Sequence, residues 1–276
     1  MYTISFIGAG NVALRFSLAL AEVGYEIDTI YNRSEKNMNK VVKALQRNGC
    51  SARPSFSISD TFHSDIVIIA VSDNSISEVV ESIAYRYRED SIDRFPIFLH
   101  TSGATSIDVF SPLQQLGAKC GVLYPLMTLN KNKNVEFKDV PLLLECSDCA
   151  IEDVLDEIAT KLGSEHYFYT SEQRLRMHVA AVFTCNFVNY ILNLGFSVIG
   201  RDHPLLLPST LESVRNCFLH NPDVALTGPA RRGDFVTIEK HLELLDNLGM
   251  EQQKEIYTLL TEMIMKKYHI ERSSFE

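Results

Sequence analysis

The sequence opens with Gly8-Ala9-Gly10-Asn11-Val12-Ala13, the GxGxxA spacing of a phosphate-binding turn. Gly8 permits a sharp strand-to-helix turn. Gly10 lets backbone approach a pyrophosphate, and Ala13 allows close packing of helix on strand. A helix starting near Asn11 aims free N–H groups and its positive end at that anion. By itself this pattern is weak. Here a short apolar run, residues 2–7, precedes the turn, and apolar residues at helical spacing follow from Val12 to Val23, which is the context the motif requires.

The next turn bears on which dinucleotide would fit. A site for NAD carries Asp or Glu at the end of the second strand, to bind the ribose hydroxyls. This chain has Tyr31-Asn32-Arg33-Ser34. Arg33 and Ser34 suit an adenosine 2′-phosphate, and Asn32 can hold the ribose without charge, so the expected cofactor is NADP(H). A solvated turn with Ser34 as helix N-cap is the plain alternative, and both can hold together. Two further loops follow apolar runs. Val71-Ser72-Asp73 and His100-Thr101-Ser102-Gly103-Ala104 are strand-to-helix links that can also offer backbone and hydroxyl contacts to the nicotinamide half.

Hydride transfer asks of the protein positioning and a proton donor or acceptor. His178, Tyr124, Ser102 and His100 are the candidates, imidazole being suited to proton transfer near neutral pH. On an ideal α-helix His178, Asn186, Asn189 and Asn193 fall within an arc of about 80°. Asn186 and Asn189 could therefore fix a substrate carbonyl, or the stripe could meet water or a partner subunit. In Gly228-Pro-Ala-Arg-Arg232-Gly-Asp234, Asp234 can cap the next helix, while Arg232 can clamp a carboxylate or phosphate with its planar fork.

The elements that would position these groups alternate. Strand candidates at 26–31, 66–71, 96–100 and 120–123 are separated by helical patterns at 35–47 and 75–87, which predicts a doubly wound parallel sheet. Residues 140–145 and 166–169 read as edge strands around a helix at 151–162. From Ser171 onward everything reads as helix: 171–200, 206–219, 235–248 and 251–268. The expected architecture is an α/β Rossmann domain over residues 1–170, then an all-α domain over 171–276 for substrate binding and dimerisation.

Composition narrows the class. With 46% apolar and 22% charged residues, 13 Gly and 9 Pro, the chain is an ordinary globular sequence without low-complexity segments. A net charge of -9 argues against nucleic-acid binding. The six cysteines follow no secretory signal and are read as reduced thiols in a cytoplasmic protein. Cys146-Ser-Asp-Cys149 lacks the second pair or His cluster of a zinc site, so no metal is expected. Residues 178–200 contain no Asp, Glu, Lys or Arg and are long enough to cross a bilayer, yet His178 and several Asn, Ser and Thr would sit poorly in hydrocarbon. The expectation is a soluble, largely buried helix at the centre of the second domain, and no membrane association.

These motifs occur in a fixed order: the Gly fingerprint, Asn-Arg-Ser, Val-Ser-Asp-Asn, His-Thr-Ser-Gly-Ala, Tyr124-Pro-Leu, His178-x-x-x-Val-Phe-x-x-Asn186, and Thr227-Gly-Pro229-x-x-Arg232-Gly-Asp234-x-x-Thr237-x-x-x-His241-Leu. From about residue 2 to 260 the chain resembles Rossmann proteins with a C-terminal helical domain of uncharacterised function, a group labelled NADP oxidoreductases of the coenzyme deazaflavin-dependent type. The resemblance implies a fold related to pyrroline-carboxylate reductase, ketopantoate reductase and the β-hydroxyacid dehydrogenases, and a homodimer built through the helical domain. Two departures stand out. The group has His before Pro125 where this chain has Tyr124. The β-hydroxyacid dehydrogenases place Lys four residues before the Asn, where this chain has Val182, so their substrate class does not carry over.

The leading expectation is an NADP(H)-dependent oxidoreductase acting on a small, anionic substrate between the Rossmann sheet edge and the helical domain. A non-catalytic NADP(H) sensor or scaffold and a deazaflavin-dependent NADP reductase are the competing readings.

Overall fold

The computed structural model describes residues 2–89, 94–129 and 135–271. The chain divides at Phe183–Thr184 into two compact units. In the first, the parallel run begins with β1 (Thr3–Ile7), α1 (Asn11–Glu22), β2 (Glu26–Tyr31), α2 (Glu35–Arg47) and β3 (Arg53–Ser55). It continues through β4 (Ile66–Ile69), α3 (Asp73–Glu89), β5 (Ile97–His100), the single turn α4 (Ser111–Gln114) and β6 (Cys120–Pro125). β7 (Leu142–Cys146), α5 (Glu152–Lys161), β8 (His166–Phe168) and α6 (Ser171–Ala181) complete the unit.

Among the described residues the eight strands form one sheet, ordered β3-β2-β1-β4-β5-β6-β7-β8. The first six are parallel, and β7 runs antiparallel to β6 with β8 parallel to it. The Rossmann reading therefore holds, with the order reversing between β1 and β4. At such a reversal the flanking loops diverge and leave a crevice at the carboxyl ends of the strands. β4 is apolar at every position because it is covered on both faces. Ile66 and Ile68 join Phe6, Phe16, Leu20 and Val41 in a core beneath α1, α2 and α5. Val67 and Ile69 join Ile7, Val80, Phe98 and Phe110 beneath α3 and α4.

One strand expectation needs correction, and one strand has no counterpart in the sequence reading. β7 is interior, because β8 continues the sheet beyond it; only β8 is an edge. The opposite edge is β3, which the pattern does not reveal: Arg-Pro-Ser has no apolar alternation, and proline is tolerated only where no ladder N–H is needed.

The second unit is helical, as expected. It contains α7 (Val188–Ile199), α8 (Leu207–Leu219), the short turns α9 (Pro222–Ala225) and α10 (Pro229–Arg232), α11 (Phe235–Asn247) and α12 (Glu251–Lys267). Here the expectation of a buried central helix fails. Within α7 only Leu194 is buried, whereas Tyr190, Ile191, Val198 and Ile199 are exposed. By length and composition, the helical run Ser171–Leu219 includes a stretch apolar enough to cross a membrane, and only 6% of that stretch is buried. The helix is apolar because its sequence is, and a single chain does not cover it. The polar stripe also fails. Val182–Phe187 is a π-helical turn, in which each hydrogen bond spans five residues instead of four. The 100° step does not carry through it, so spacing no longer places His178 on one face with Asn186, Asn189 and Asn193.

At the start of the sheet Asp65 accepts hydrogen bonds from the backbone N–H and hydroxyl of Thr3 and pairs with Arg94, so β1 and β4 are pinned at their first residues. The Thr3 N–H, then its hydroxyl and the Arg94 charge, outweigh partial burial and hold the Asp65 carboxyl below the usual carboxylate range. A depressed folded-state pKa contributes stability above the unfolded value near 4, which is lost as pH falls through the folded value. Below about pH 4 the urea midpoint should fall more steeply in the natural protein than in Asp65→Asn. Equal slopes would show that Asp65 is not an acid-sensitive tie.

Candidate functional site

The loops that follow β1, β2 and β4 enclose a cavity at the sheet's carboxyl edge. Gly8, Ala9 and Gly10 form one wall, Asn32 and Arg33 a second, and Val71 and Ser72 a third. The two fingerprint glycines have different causes. Gly8 sits at φ 113, and a Cβ there would lie 2.4 Å from the Ala70 carbonyl oxygen, so the fold itself demands glycine. Around Gly10 no protein atom lies within 4 Å of a Cβ position. Protein packing does not account for that glycine, whereas a ligand seated on the loop does.

The helix ends match this. Gly10 caps α1 and Ser34 caps α2, and neither provides a side-chain cap hydrogen bond. The first-turn N–H groups of α1 are thus left for an anion. Ser34 does not take the N-cap bond that its position allows, and Asn32 Nδ2 instead donates to the Ser34 carbonyl at 3.0 Å, shaping the turn that presents Arg33. Arg33 lies 3.6 Å from Glu78 of α3, with both side chains exposed. Taken together, an uncapped helix start, an open glycine and a guanidinium at the far end fit a dinucleotide carrying an extra phosphate. Of the other residues expected here, Asn11 and Val12 begin α1, Asp73 begins α3, and Thr101 is buried after β5; none of these four lines the cavity, nor does Ser34.

A second polar cluster lies past the ends of β5 and β6. The Tyr124 hydroxyl meets His178 Nδ1 at 3.0 Å, with the rings edge to face. Gly103 closes the third side: a Cβ there would lie 2.7 Å from both His178 Nδ1 and Tyr124 Cζ. The other candidates from this loop have internal duties. Ser102 is buried, and its hydroxyl accepts from the N–H groups of Ala104 and Thr105. His100 is fully buried against Phe110, and its Nδ1 accepts from the Ser102 N–H at 3.2 Å. Burial first, and the nearby Arg174 charge second, push its pKa down to about 3, so His100 is neutral and shapes the loop.

Beneath the Tyr–His pair is a buried ion pair. Arg174 of α6 is 1% exposed and bonds Glu145 of β7 and the Thr105 carbonyl. Ser171 donates to Glu145 from both its N–H and its hydroxyl, and that hydroxyl accepts from the Ile107 N–H. A capping box between Thr170 and Gln173 starts the helix at this point. Since Arg174 precedes His178 by four residues, one helix face carries both.

Asn186 and Arg232 belong to the second unit. Asn186 is exposed within the π turn. Arg232 is exposed at the end of α10, while its neighbour Arg231 packs 4.0 Å over the Tyr268 ring. Asp234 caps α11 by accepting from the Thr237 N–H at 3.1 Å. Sequence reasoning missed Glu78 in the cavity wall, and Gly103, Glu145 and Arg174 around the Tyr–His pair. The one usable signal was the four-residue step from Arg174 to His178; nothing in the sequence tells that arginine from a surface one.

The chain thus carries a Rossmann-like domain followed by a helical domain of a kind known by its sequence but not its function. A Rossmann-like family model matches residues 2–125, and the domain of unknown function DUF2520 matches residues 140–264. No curated protein sequence matches the chain. Among solved structures it is similar to a candidate NADP oxidoreductase from Bacteroides fragilis, at 29% identity and TM-score 0.81, covering 96% of this chain and 98% of that one. A Thermotoga maritima protein shares 20% identity over 96% and 98% of the two chains, with TM-score 0.63. A reductive aminase from Aspergillus terreus, solved with NADPH and ethyl-5-oxohexanoate, shares the fold at TM-score 0.68 with 11% identity, over 100% and 96% of the chains. Two of these three neighbours are thus described as an NADP oxidoreductase and a reductive aminase.

Removing one member of a buried ion pair leaves the other charged and unpartnered, at a cost of about 3–5 kcal/mol. Glu145→Ala should lower unfolding stability by that order in urea titrations. Glu145→Leu combined with Arg174→Met should recover most of the loss, and a double variant no better than the single one would show that the pair is not the source.

Proposed function

We propose that this protein is an NADP(H)-dependent oxidoreductase that moves a hydride between the nicotinamide and a small, anionic substrate. The observation that carries the reading is the cavity with an open Gly10 and uncapped α1 at one end and Arg33 at the other. Gly8, Ala9, Gly10 and the start of α1 would hold the pyrophosphate, Arg33 with Asn32 the adenosine 2′-phosphate and ribose. The bound cofactor supplies the hydride chemistry.

The proton is the protein's part. Register along the sheet puts Ile69, His100 and Val122 abreast, so the loops after β4, β5 and β6 leave from the same edge. Three strand spacings separate β1 from β6, about 14 Å along that edge. Tyr124 and His178 stand at the β6 end, where the Tyr124 hydroxyl can give or take a proton at the substrate while His178 Nδ1 accepts or returns it. The tautomer of His178 decides which atom holds the proton between turnovers. Arg232 of the helical unit, exposed and planar, is a candidate for an anionic ligand by its chemistry alone.

The helical unit supports one further part of the proposal. Large apolar side chains stay exposed on consecutive helices, among them Tyr190 and Ile191 on α7 and Leu211 and Phe218 on α8. Apolar surface of this kind marks an association surface. A second copy of the chain is the proposed occupant.

Nicotinamide fluorescence gives the test. NADPH should bind the purified protein more tightly than NADH, and Arg33→Ala should weaken NADPH by roughly tenfold or more while changing NADH little. Failure to bind either nucleotide would leave the fingerprint as a feature of the fold alone. With a carbonyl or imine substrate found by screening, Tyr124→Phe should lower kcat about 10²-fold or more and leave the NADPH affinity unchanged. An unchanged kcat would remove Tyr124 from the proton path.

A further inference from the structure

From the Arg33–Glu78 pair we infer that Glu78 sets how strongly the protein prefers NADPH over NADH, an inference that rests on the cavity being the NADP(H) site. β2 ends in Tyr31-Asn32, without the carboxylate that would bind ribose hydroxyls. The cavity nevertheless contains one. Glu78, near the middle of α3's first half, lines the wall facing the turn, and its Oε1 lies 3.6 Å from Arg33 Nη1.

Two opposing charges therefore occupy the adenosine end. A 2′-phosphate that binds Arg33 must compete with Glu78 for the guanidinium and rest within a few ångströms of a like charge. NADH brings hydroxyls to the same place, which a carboxylate accepts without repulsion. Arg33 favours the phosphorylated cofactor and Glu78 works against it. The net preference is the difference between the two effects, so Glu78 narrows a selectivity that Arg33 alone would make larger.

The pair is mostly exposed, so salt and water weaken both effects, and the expected change is moderate. Glu78→Gln keeps size and hydrogen-bonding capacity and removes only the charge. Direct titration with NADPH and with NADH, followed by nicotinamide fluorescence, should show NADPH binding about five- to tenfold tighter in Glu78→Gln. NADH binding should stay within about twofold of the natural protein, so the ratio of the two dissociation constants rises. Glu81, exposed on the same helix but outside the cavity, supplies the control for net charge. Glu81→Gln should leave the ratio where it was.

An unchanged ratio in Glu78→Gln, or an equal rise in Glu81→Gln, overturns the inference while leaving the cofactor reading intact. Absence of NADPH binding by the natural protein overturns both, and is read before any variant is made.

Discussion

A buried charge must be answered where it is buried, and that constraint organises one end of this molecule. Arg174 is almost wholly inaccessible, yet it extends from α6 into a region assembled from β7, the loop after β5 and its own helix. Glu145 neutralises it, Ser171 occupies the remaining carboxylate valence, and the Thr105 carbonyl takes a second guanidinium nitrogen. Each partner comes from a different piece of chain. The ion pair therefore sets the distance between the sheet, the loop and the helix more tightly than apolar contacts would, since apolar packing is indifferent to a one-residue slide. Its cost in desolvation is offset only because nearly every polar atom finds a mate. His100 stays neutral because burial first, and the nearby Arg174 charge second, disfavour its charged form.

The other organising constraint is close approach of backbone. β1 must turn into α1 directly beside the end of β4, and at that crossing the Ala70 carbonyl leaves no room for a side chain on Gly8. The turn could not be made with the chain further away, because β1 and β4 are adjacent strands in register from Ile4–Ile66 to Ile7–Ile69. What results is a crevice lined by Gly8, Ala9 and Gly10 beside the start of α1. At the far rim, the turn after β2 puts Arg33 opposite Glu78.

The sequence is most legible where one face of an element is apolar and the other polar. The helix Glu35–Arg47 is readable to the residue because Met38, Val41, Val42 and Leu45 fall on its buried side. The glycine fingerprint is readable from its spacing between a strand and a helix, and Gly8 answers a steric demand of the fold itself. Legibility falls where the deciding partner is distant in sequence. β3 has no pattern of its own and exists because Ile30 has a free edge beside it. The burial of Arg174 depends on Glu145, twenty-nine residues earlier by the hydrogen bond that joins them. α7 misleads in another way: periodicity and apolarity report that a helix wants cover, and are silent on whether its own chain supplies it. The π turn at Val182–Phe187 breaks the wheel on which the asparagine stripe was drawn, and no residue type there announces the extra turn width.

The site around Tyr124 shows how one substitution can be absorbed by its neighbours. Where the resembling group carries histidine before the proline, this chain carries a longer side chain with its polar atom at the far end of a ring. Such a side chain fits only if something opposite is small, and Gly103 is the residue opposite: an added Cβ would overlap both the Tyr124 ring and the His178 imidazole. With glycine there, the hydroxyl reaches Nδ1 at hydrogen-bonding distance and the rings settle edge to face. The three residues come from the β5 loop, the end of β6 and α6, and the last of these is positioned by the Arg174–Glu145 pair one turn earlier. Tyrosine at 124 is thus interlocked with the glycine and the imidazole beside it. Its hydroxyl stands one hydrogen bond from the imidazole.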